Sequence, residues 1–339
     1  MPRGRAGSAQ GERRPHTPVA PRGDRAVRGG LGRDHPDQRP HARLRAREQR
    51  VLELMNIHWL EAHRGETVVV KFGGNAMVDE ELGATFAEDL VALQRAGLRP
   101  VVTHGGGPQI SAELARQAIV SEFRGGLRHT TPEAVLVVRD VLIELGRELA
   151  AGIRAAGGTA ESIAGDERNV YSGILRGTVV DGEPVDLGRV GEVASVDTTA
   201  VTEALDAGRI PVVSAIAPER GGGGLLNVNA DSAAASLAVA LGADWLVILT
   251  DVQGLYRDWP KRDSLVTTID TGELATLLPQ LEAGMIPKMT ACLAAVTGGV
   301  PRAAIIDGRV PHALLHEPFG TSGTTVVRSE ATMAERASS

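Results

Sequence analysis

Lysine is scarce in this chain: 339 residues contain three lysines against 33 arginines. A codon bias towards arginine explains the ratio, but not the positions where lysine is kept. Lys71 stands between an apolar run and a pair of glycines, and Lys288 follows the Gly- and Pro-containing segment 284–287. A compact ammonium group can follow a phosphoryl oxygen during group transfer, which the planar guanidinium of arginine does less well. Both positions therefore indicate phosphate binding, whereas Lys261 lies in a polar loop and is expected to be solvated.

Cysteine and long apolar runs are also scarce. The single Cys292 lies in an apolar, helix-like stretch, so neither a disulfide framework nor a cysteine-based metal site is expected. No run approaches the roughly 20 apolar residues that a transmembrane helix requires. We therefore expect a cytoplasmic protein with no membrane partner.

Several nucleotide-binding motifs are missing. The chain contains no G-x-x-x-x-G-K-[ST] segment and no protein-kinase signature set, and its triple glycine, Gly105–Gly107, does not complete a dinucleotide fingerprint. These absences disfavour a P-loop nucleoside triphosphatase, a protein kinase and a Rossmann oxidoreductase. A nucleotide, if bound, is bound in another way.

The charge is divided unevenly along the chain. Residues 1–50 hold 13 arginines and five acids, while the remainder holds 23 basic and 37 acidic residues. Residues 1–47 have almost no apolar periodicity and are predicted to be disordered, as is the tail at 330–339. An Arg-rich arm also fits nucleic-acid binding, membrane binding or a transit peptide. Because the arm lacks aromatic residues and an apolar segment, we expect no nucleic-acid partner.

From residue 67 onward, short β-branched runs alternate with Ala- and Leu-rich helical stretches. This alternation predicts an α/β fold with a mainly parallel sheet and helices on both faces. The segment 157–193 is predicted to be β-hairpin material inserted in this framework, and 48–64 to be an amphipathic helix. The predicted strands are 67–71, 100–104, 211–214, 245–250 and 302–306. The predicted helices lie near 79–96, 108–117, 132–156, 198–207, 230–242, 271–281 and 285–298.

Three glycine-containing loops follow predicted strands. They are the loop with Gly73 and Gly74, the triple glycine 105–107, and the loop that runs from Asp251 to Gly254. In open α/β sheets ligands bind beyond the carboxyl ends of the strands, so these loops are expected to converge on one crevice. Backbone N–H groups of glycines can approach anionic oxygens closely. Each loop alone is more simply explained as a turn.

Two further segments carry polar side chains suited to an anionic ligand. Asn227, Asn229 and Asp231 alternate before a predicted helix, which we interpret as three side chains on one side of an extended strand end. Asp231 could hold the two lysines in place, although helix capping by Asn229 explains the pattern as well. Arg128 precedes another capped helix and suits bidentate capture of a carboxylate; its alternative is a surface salt bridge.

Together these segments resemble the N-acetylglutamate kinases of the amino acid kinase superfamily, in order from about residue 48 to 327. The resemblance implies a three-layer αβα sandwich whose N-terminal lobe, 65–217, binds the amino-acid substrate and whose C-terminal lobe, 218–329, binds ATP. The segments that carry it are Val68–Met77, His104–Pro108, Gly126-Leu-Arg128, Asn227-Val-Asn-Ala-Asp231, Leu249–Tyr256 and Gly284-Met-Ile-Pro-Lys288.

The implied reaction transfers a phosphoryl group from ATP to the side-chain carboxylate of N-acetyl-L-glutamate, the second step of arginine biosynthesis. The resemblance assigns Lys71, Lys288 and Asp231 to catalysis. It places Mg²⁺ on the ATP phosphates, with no metal site made by the protein alone. The substrate would be bound by Gly106, Gly107, Arg128 and Asn227. ATP and its phosphates would be bound by Gly73, Gly74, Asp251 and Gly254.

Several features leave other interpretations open. The segment 162–176 departs from the family pattern, and His129 replaces a common valine, so the acyl substrate is open: a paralogue could act on carrier-linked glutamate or aminoadipate. A non-catalytic amino-acid-binding subunit is the rival of another class. Helix 48–64 resembles the helices through which arginine-inhibited members interlock, which implies a homo-oligomer, either hexamer or dimer. Because the stretch 317–325 is short for an arginine site, we expect hexamers rather than arginine feedback.

Overall fold

The computed structural model describes most of the chain, namely residues 58–180, 183–316 and 323–329. The predictions for the arm at 1–47 and the tail at 330–339 lie outside these residues, as does most of the stretch 317–325. Only the end of the predicted helix 48–64 is described, and there residues 58–62 are helical.

The strands confirm the predicted alternation and add several short ones. Every residue of the first strand except Thr67 is buried, as expected for a strand covered on both faces. In chain order the strands are β1 (Thr67–Phe72), β2 (Arg99–His104), β3 (Phe123–Arg124), β4 (Leu127–Arg128), β5 (Ala160–Ile163), β6 (Tyr171–Leu175), β7 (Thr178–Val180), β8 (Glu183–Val185), β9 (Val190–Val196), β10 (Ile210–Ser214), β11 (Ile216–Pro218), β12 (Leu225–Val228), β13 (Trp245–Thr250), β14 (Leu255–Tyr256), β15 (Leu265–Val266), β16 (Thr268–Asp270), β17 (Arg302–Asp307) and β18 (Gly323–Val327).

The helices also lie close to their predicted bounds. Asp79 caps the first, accepting hydrogen bonds from the amides of Glu81 and Leu82, and Thr131 caps the third with Pro132 behind it. The predicted helix 271–281 ends early and continues as a 3₁₀ turn, because Pro279 cannot continue an α-helix. The helices are α1 (Glu80–Arg95), α2 (Gly107–Arg116), α3 (Pro132–Ala155), α4 (Thr199–Asp206), α5 (Ala230–Leu241), α6 (Thr271–Leu277) and α7 (Ile286–Gly298).

An eight-stranded central sheet has the order β16-β18-β17-β13-β1-β2-β10-β5. The six strands from β17 to β5 run parallel, and β18 pairs antiparallel with β17. Alternate residues of β1 belong to two different cores. Val68 and Val70 pack with side chains of α1 and α3, whereas Val69 packs with those of α5 and α7. The sheet is thus the middle of three layers, as predicted.

The prediction for 157–193 is wrong in its first part. Residues Ala160–Ile163 pair in parallel with β10 and form the edge of the central sheet. The remainder does hold antiparallel pairs, β6 with β9 and β7 with β8, and β9 joins a second sheet of order β11-β12-β9-β6. This edge strand is short and lies between glycines, so its sequence shows no alternation of apolar and polar residues that would indicate how it pairs. Within the described part of the chain, no helix combines the length and the apolar character needed to cross a membrane.

Candidate active site

Three charged side chains meet at the carboxyl edge of the central sheet. The Nζ atom of Lys71 lies 3.0 Å from Oδ1 of Asp231, and Nζ of Lys288 lies 3.4 Å from Oδ2 of the same carboxylate. Lys71 and Asp231 are only 8% and 4% exposed. The structure therefore brings together the three residues that the sequence singled out for catalysis, with Lys71 and Asp231 buried and Lys288 half-buried.

Each of the three side chains is placed by the start or end of a regular element. Lys71 is the next-to-last residue of β1, and Lys288 lies in the first turn of α7, just after Pro287. Asn229 caps α5, accepting hydrogen bonds at 2.9 and 3.0 Å from two amides of the first turn, and this cap turns Asp231 inward. The interpretation of 227–231 as one extended face is thus wrong, because only Asn227 belongs to a strand.

The two ammonium groups keep the carboxylate between them ionised. Burial by itself would raise the pKa of Asp231, but the charges of Lys71 and Lys288 outweigh it and hold that pKa below its ordinary value. Burial also raises the pKa of Cys292, a buried free cysteine one turn after Lys288. The site therefore holds two positive charges against one negative, a surplus suited to an anionic ligand.

The first two glycine loops lie against these charges. A Cβ atom added to Gly73 would stand 3.0 Å from Nζ of Lys71, and one added to Gly105 would stand 3.4 Å from Cβ of Ala230 at the start of α5. The amide of Gly105 donates to the carbonyl of Phe72 at 3.2 Å, which ties the two loops together. Two of the three glycine loops therefore lie together, as predicted, whereas the convergence of the third loop on the same crevice stays a prediction.

The triple glycine continues directly into α2, and its N-terminus has no side-chain cap. Gly106 occupies the N-cap position, and Pro108 follows in the first turn without an N–H of its own. No acceptor is recorded among the described residues for the amides of Gly106 and Gly107. A Cβ atom on Gly106 would stand 2.5 Å from a methyl group of Leu145, so a larger residue here would require that side chain of α3 to shift. Two free N–H groups at a helix start form a ready anion site.

Arg128 is a buried cation beside that helix start. It is 7% exposed, and burial lowers the pKa of its guanidinium group. Its Nη2 donates to the carbonyl of Gly107 at 3.1 Å and to Oγ of Ser111 at 2.7 Å, and its Nη1 donates to Ser121. The guanidinium also lies 4.7 Å from the ring centre of Phe123, across the β3–β4 hairpin. The described residues supply it with no carboxylate, so the surface salt bridge considered from the sequence is excluded.

Asn227 is held by a neighbouring hydroxyl. Oγ of Thr130 donates its single proton to the carbonyl of Arg128 at 2.9 Å, so it can only accept from Nδ2 of Asn227, which lies 3.2 Å away. This arrangement leaves Oδ1 of Asn227 as an acceptor for a donor on a ligand.

The third loop, from Asp251 to Gly254, contains both exposed and buried residues. Asp251 is exposed, whereas Gly254 is buried, and a Cβ atom on it would stand 2.7 Å from Oγ of Thr324. Packing against β18 thus explains the glycine without any ligand, and phosphate contact by Gly254 stays a prediction. Beyond the loop lies a cavity of about 270 Å³, lined by Val252, Tyr256, Met285 and neighbouring side chains. The cavity leads towards the start of α7, which carries Lys288.

A metal ion has no dedicated cage in the part of the chain that the structure describes. No group of three or more His, Cys, Asp or Glu side chains there could hold a metal ion. Asp231, the one buried acid beside the glycine loops, is already engaged by two lysines.

Several residues of the site were not identified from the sequence. Ser111, Ser121 and Thr130 hold Arg128 and Asn227, and His104 lies buried at the end of β2 beneath the triple glycine. The serines and the threonine carry no sequence signal, since hydroxyl residues are common in loops. His104 did carry a sequence signal, because a polar residue at the end of a buried strand is costly unless it forms a hydrogen bond or has a function.

Comparisons with known proteins show the family and the fold. The family model described as "Amino acid kinase family" matches residues 66–307. An acetylglutamate kinase of Clavibacter sepedonicus is 61% identical over 280 residues, which cover 82% of this chain and 92% of that protein. Another acetylglutamate kinase, from Kineococcus radiotolerans, is 59% identical and covers 78% and 91%.

Solved structures share the fold. N-acetylglutamate synthase from Neisseria gonorrhoeae, complexed with coenzyme A and N-acetyl-glutamate, aligns with a TM-score of 0.69 at 26% identity; the match covers 81% of this chain but only 62% of the synthase. Carbamate kinase from Giardia lamblia bound to AMP-PNP aligns with a TM-score of 0.56 at 19% identity, over 78% of this chain and 99% of that one, and shows the fold alone.

Proposed function

The chain belongs to the amino acid kinase family, and we propose that it is an acetylglutamate kinase, which phosphorylates the side-chain carboxylate of N-acetyl-L-glutamate with ATP in arginine biosynthesis. The names of relatives at 59–61% identity support this substrate. The observation that carries the proposal is the ion-pair cluster of the buried Lys71 and Asp231 with the half-buried Lys288. Beside it lie the amides of Gly106 and Gly107, which have no acceptor among the described residues.

The proposed chemistry needs no proton transfer. The substrate carboxylate is ionised near pH 7 and attacks the γ-phosphorus of ATP itself, so that one O–P bond forms while the bond to the β–γ bridging oxygen breaks and ADP leaves. The residues therefore serve alignment and charge neutralisation. Lys71 and Lys288 stabilise the oxygens of the transferred group, and Asp231 keeps both ammonium groups in position.

The substrate is proposed to lie on the side of Arg128 and Asn227, within the lobe 65–217 and the adjoining β12. Arg128, which lacks a carboxylate partner among the described residues, would bind the α-carboxylate. Oδ1 of Asn227 would accept the N–H of the acylated amine. The amides of Gly106 and Gly107 would bind carboxylate and phosphoryl oxygens. All four contacts would orient the substrate carboxylate towards Lys71.

The nucleotide is proposed to lie within the lobe 218–329, with its base in the cavity beside Tyr256 and Met285. Gly73, Gly74 and the loop from Asp251 would line its phosphates. Mg²⁺ would arrive with the nucleotide, since it prefers phosphate oxygens and water to a cage made by the protein alone. Its role when bound is to neutralise phosphate charge.

An ADP-release assay tests the proposed function and its rivals. Purified protein is given ATP, Mg²⁺ and, in separate reactions, N-acetylglutamate, glutamate, aspartate, or carrier-linked glutamate or aminoadipate, with and without arginine. We expect turnover with N-acetylglutamate only. Turnover with a carrier-linked acid instead would support the paralogue suggested by the atypical segment 162–176. Ligand binding without any turnover would support a regulatory subunit.

The oligomer and the location also stay proposals. A homo-oligomer, hexameric through helix 48–64 or dimeric, is proposed from the apolar stripe of that helix. Light scattering of the whole chain against a variant that lacks residues 1–47 tests the role of the arm. The cytoplasmic location predicted from the sequence is kept as a prediction.

A further inference from the structure

His104 is a buried imidazole whose contacts point at the anion site. It is 0% exposed, and its Nδ1 lies 3.0 Å from the carbonyl oxygen of the next residue, Gly105. Since a carbonyl oxygen only accepts, Nδ1 must carry the proton and donate it. Burial lowers the pKa of His104 to about 4, so the ring is neutral near pH 7 and has just this one N–H to give.

The geometry of a trans peptide carries that contact to the other side of the loop. The carbonyl of Gly105 and the amide of Gly106 belong to one planar unit and point in opposite directions. Holding the carbonyl down towards His104 therefore aims the Gly106 N–H away from the core. The next unit is held in the same way, because the carbonyl of Gly106 accepts from the amide of Ile110 at 2.8 Å, which orients the Gly107 N–H.

The surroundings of the His104 ring indicate that the residue is not there for packing alone. It lies against Gly146 of α3, where an added Cβ atom would stand 3.0 Å from Nε2 of His104 and 2.8 Å from Oγ of Ser162. Nε2 is buried without a hydrogen-bond partner among the described residues. An unpaired buried nitrogen is costly, and an apolar side chain would fill the same space without that cost. The useful atom of this ring is thus Nδ1.

We propose that His104 is a positioning residue, whose Nδ1–H fixes the Gly105–Gly106 peptide so that the Gly106 amide faces the anionic oxygens of the reacting groups. This inference rests on the proposed phosphoryl transfer, and it adds to it the residue that orients the anion site. His104 itself contacts neither substrate nor nucleotide.

Two amide variants distinguish the effect of the Nδ1–H donor from the effect of the size of the imidazole ring. The side-chain nitrogen of asparagine falls near the place of Nδ1, whereas that of glutamine falls near the place of Nε2. We expect His104→Asn to keep kcat for N-acetylglutamate within about threefold, and His104→Gln and His104→Leu to lose roughly tenfold or more, as for a misaimed oxyanion donor. The Kd for ADP, measured by calorimetry without N-acetylglutamate, should stay unchanged in all three.

Val102→Ala is the matched control, because Val102 lies two residues earlier on the same face of β2 and is equally buried. It should lower stability while leaving kcat unchanged. Equal kcat for the asparagine and glutamine variants, or a leucine variant with wild-type kcat, would overturn the inference. If the leucine variant does not fold, the two amide variants still decide. A wild-type protein that does not turn over N-acetylglutamate would instead refute the proposed function.

Discussion

Lysine and aspartate pair in two regions of this protein, and burial separates the two cases. At the carboxyl edge of the sheet, the side chains of Lys71 and Asp231 are 9% and 5% exposed. In the outer loop after β14, Lys261 pairs with Asp258, but their side chains are 68% and 58% exposed. The prediction that Lys261 is solvated is thus confirmed.

The difference teaches that the residue types alone do not define the site. Charges in water interact weakly, whereas charges removed from water must be paired, and an unpaired surplus then attracts a ligand strongly. The interior set has one more positive charge than negative, and the outer pair is balanced. Substitutions at the two places should therefore have very different effects.

The largest difference is expected for the two aspartates. Asp231→Asn leaves two ammonium groups in the interior without their counter-charge, and the free energy of unfolding should fall by about 3–5 kcal/mol. Asp258→Asn removes only an exposed pair and should cost about 1 kcal/mol or less. Urea denaturation of both variants measures this contrast. Equal losses would show that burial is not what distinguishes the two regions.

The lysines should also differ in catalysis. Lys71→Ala or Lys288→Ala should lower kcat by a factor of roughly 10² or more, because each removes one charge from the transferring phosphoryl group. Lys261→Ala should leave kcat unchanged. Steady-state kinetics of the three purified variants make the comparison, and near-normal turnover in either of the first two would exclude that lysine from catalysis.

The pH dependence of stability should reveal the buried imidazole. The pKa of His104 is lowered by burial to about 4, so the folded protein binds fewer protons than the unfolded chain between about pH 4 and 6.5. The contribution of His104 to the free energy of unfolding is complete above pH 6.5 and decreases by about 3 kcal/mol as the pH falls to 4. His104→Asn should lack this decrease. The wild-type free energy of unfolding minus that of the variant, measured by urea at several pH values, should therefore fall as the pH is lowered from 6.5 to 4.

Asp89 makes the comparison with the variant necessary. Burial raises the pKa of Asp89 to about 6, although the neighbouring His312 opposes this. Between about pH 4 and 6 the folded protein therefore binds one more proton at Asp89 than the unfolded chain does. The stabilisation that this proton provides decreases as the pH rises. The two buried groups oppose each other in the wild type, so a flat wild-type profile alone would not contradict the account. A pH-independent difference between wild type and variant would.

The smallest contrast concerns two helical glycines. Gly83 in α1 has open space where a Cβ atom would stand, so Gly83→Ala should stabilise the protein by about 0.4–1 kcal/mol. Gly146→Ala would place its Cβ against Ser162 and His104 at 2.8 and 3.0 Å, and should destabilise the protein and lower kcat. Thermal unfolding of both variants measures the first effect. Stabilisation by both alanines would show that the ring is loosely seated.

Much of the framework followed from the sequence because it depends on local patterns. The buried strand at Lys71, the cap at Thr131 and the Pro-led helix starts are encoded by neighbouring residues, and the structure confirms them. The edge strand Ala160–Ile163 was missed because it has only four residues, and their burial does not alternate along the strand.

The site was predictable where charge and glycine mark it, and not where hydroxyl groups support it. Lys71 and Lys288 stood out because lysine is rare in this chain, and the family resemblance assigned Asp231 to the same site. The roles of Ser111 and Thr130 depend on a three-dimensional arrangement that brings them to Arg128 and Asn227. The role of Asn229, in contrast, could be predicted from neighbouring residues, and the structure confirms that Asn229 is the N-cap of α5.

Trapping the product tests the central claim most directly. An acyl phosphate reacts with hydroxylamine to give a hydroxamate, so the wild-type protein is incubated with ATP, Mg²⁺, N-acetylglutamate and hydroxylamine, with Lys288→Ala alongside. The account predicts ADP and N-acetylglutamyl hydroxamate in equal amounts, and roughly 10²-fold less of both from the variant. ADP without hydroxamate, or hydroxamate formed from free glutamate and not from N-acetylglutamate, would contradict it.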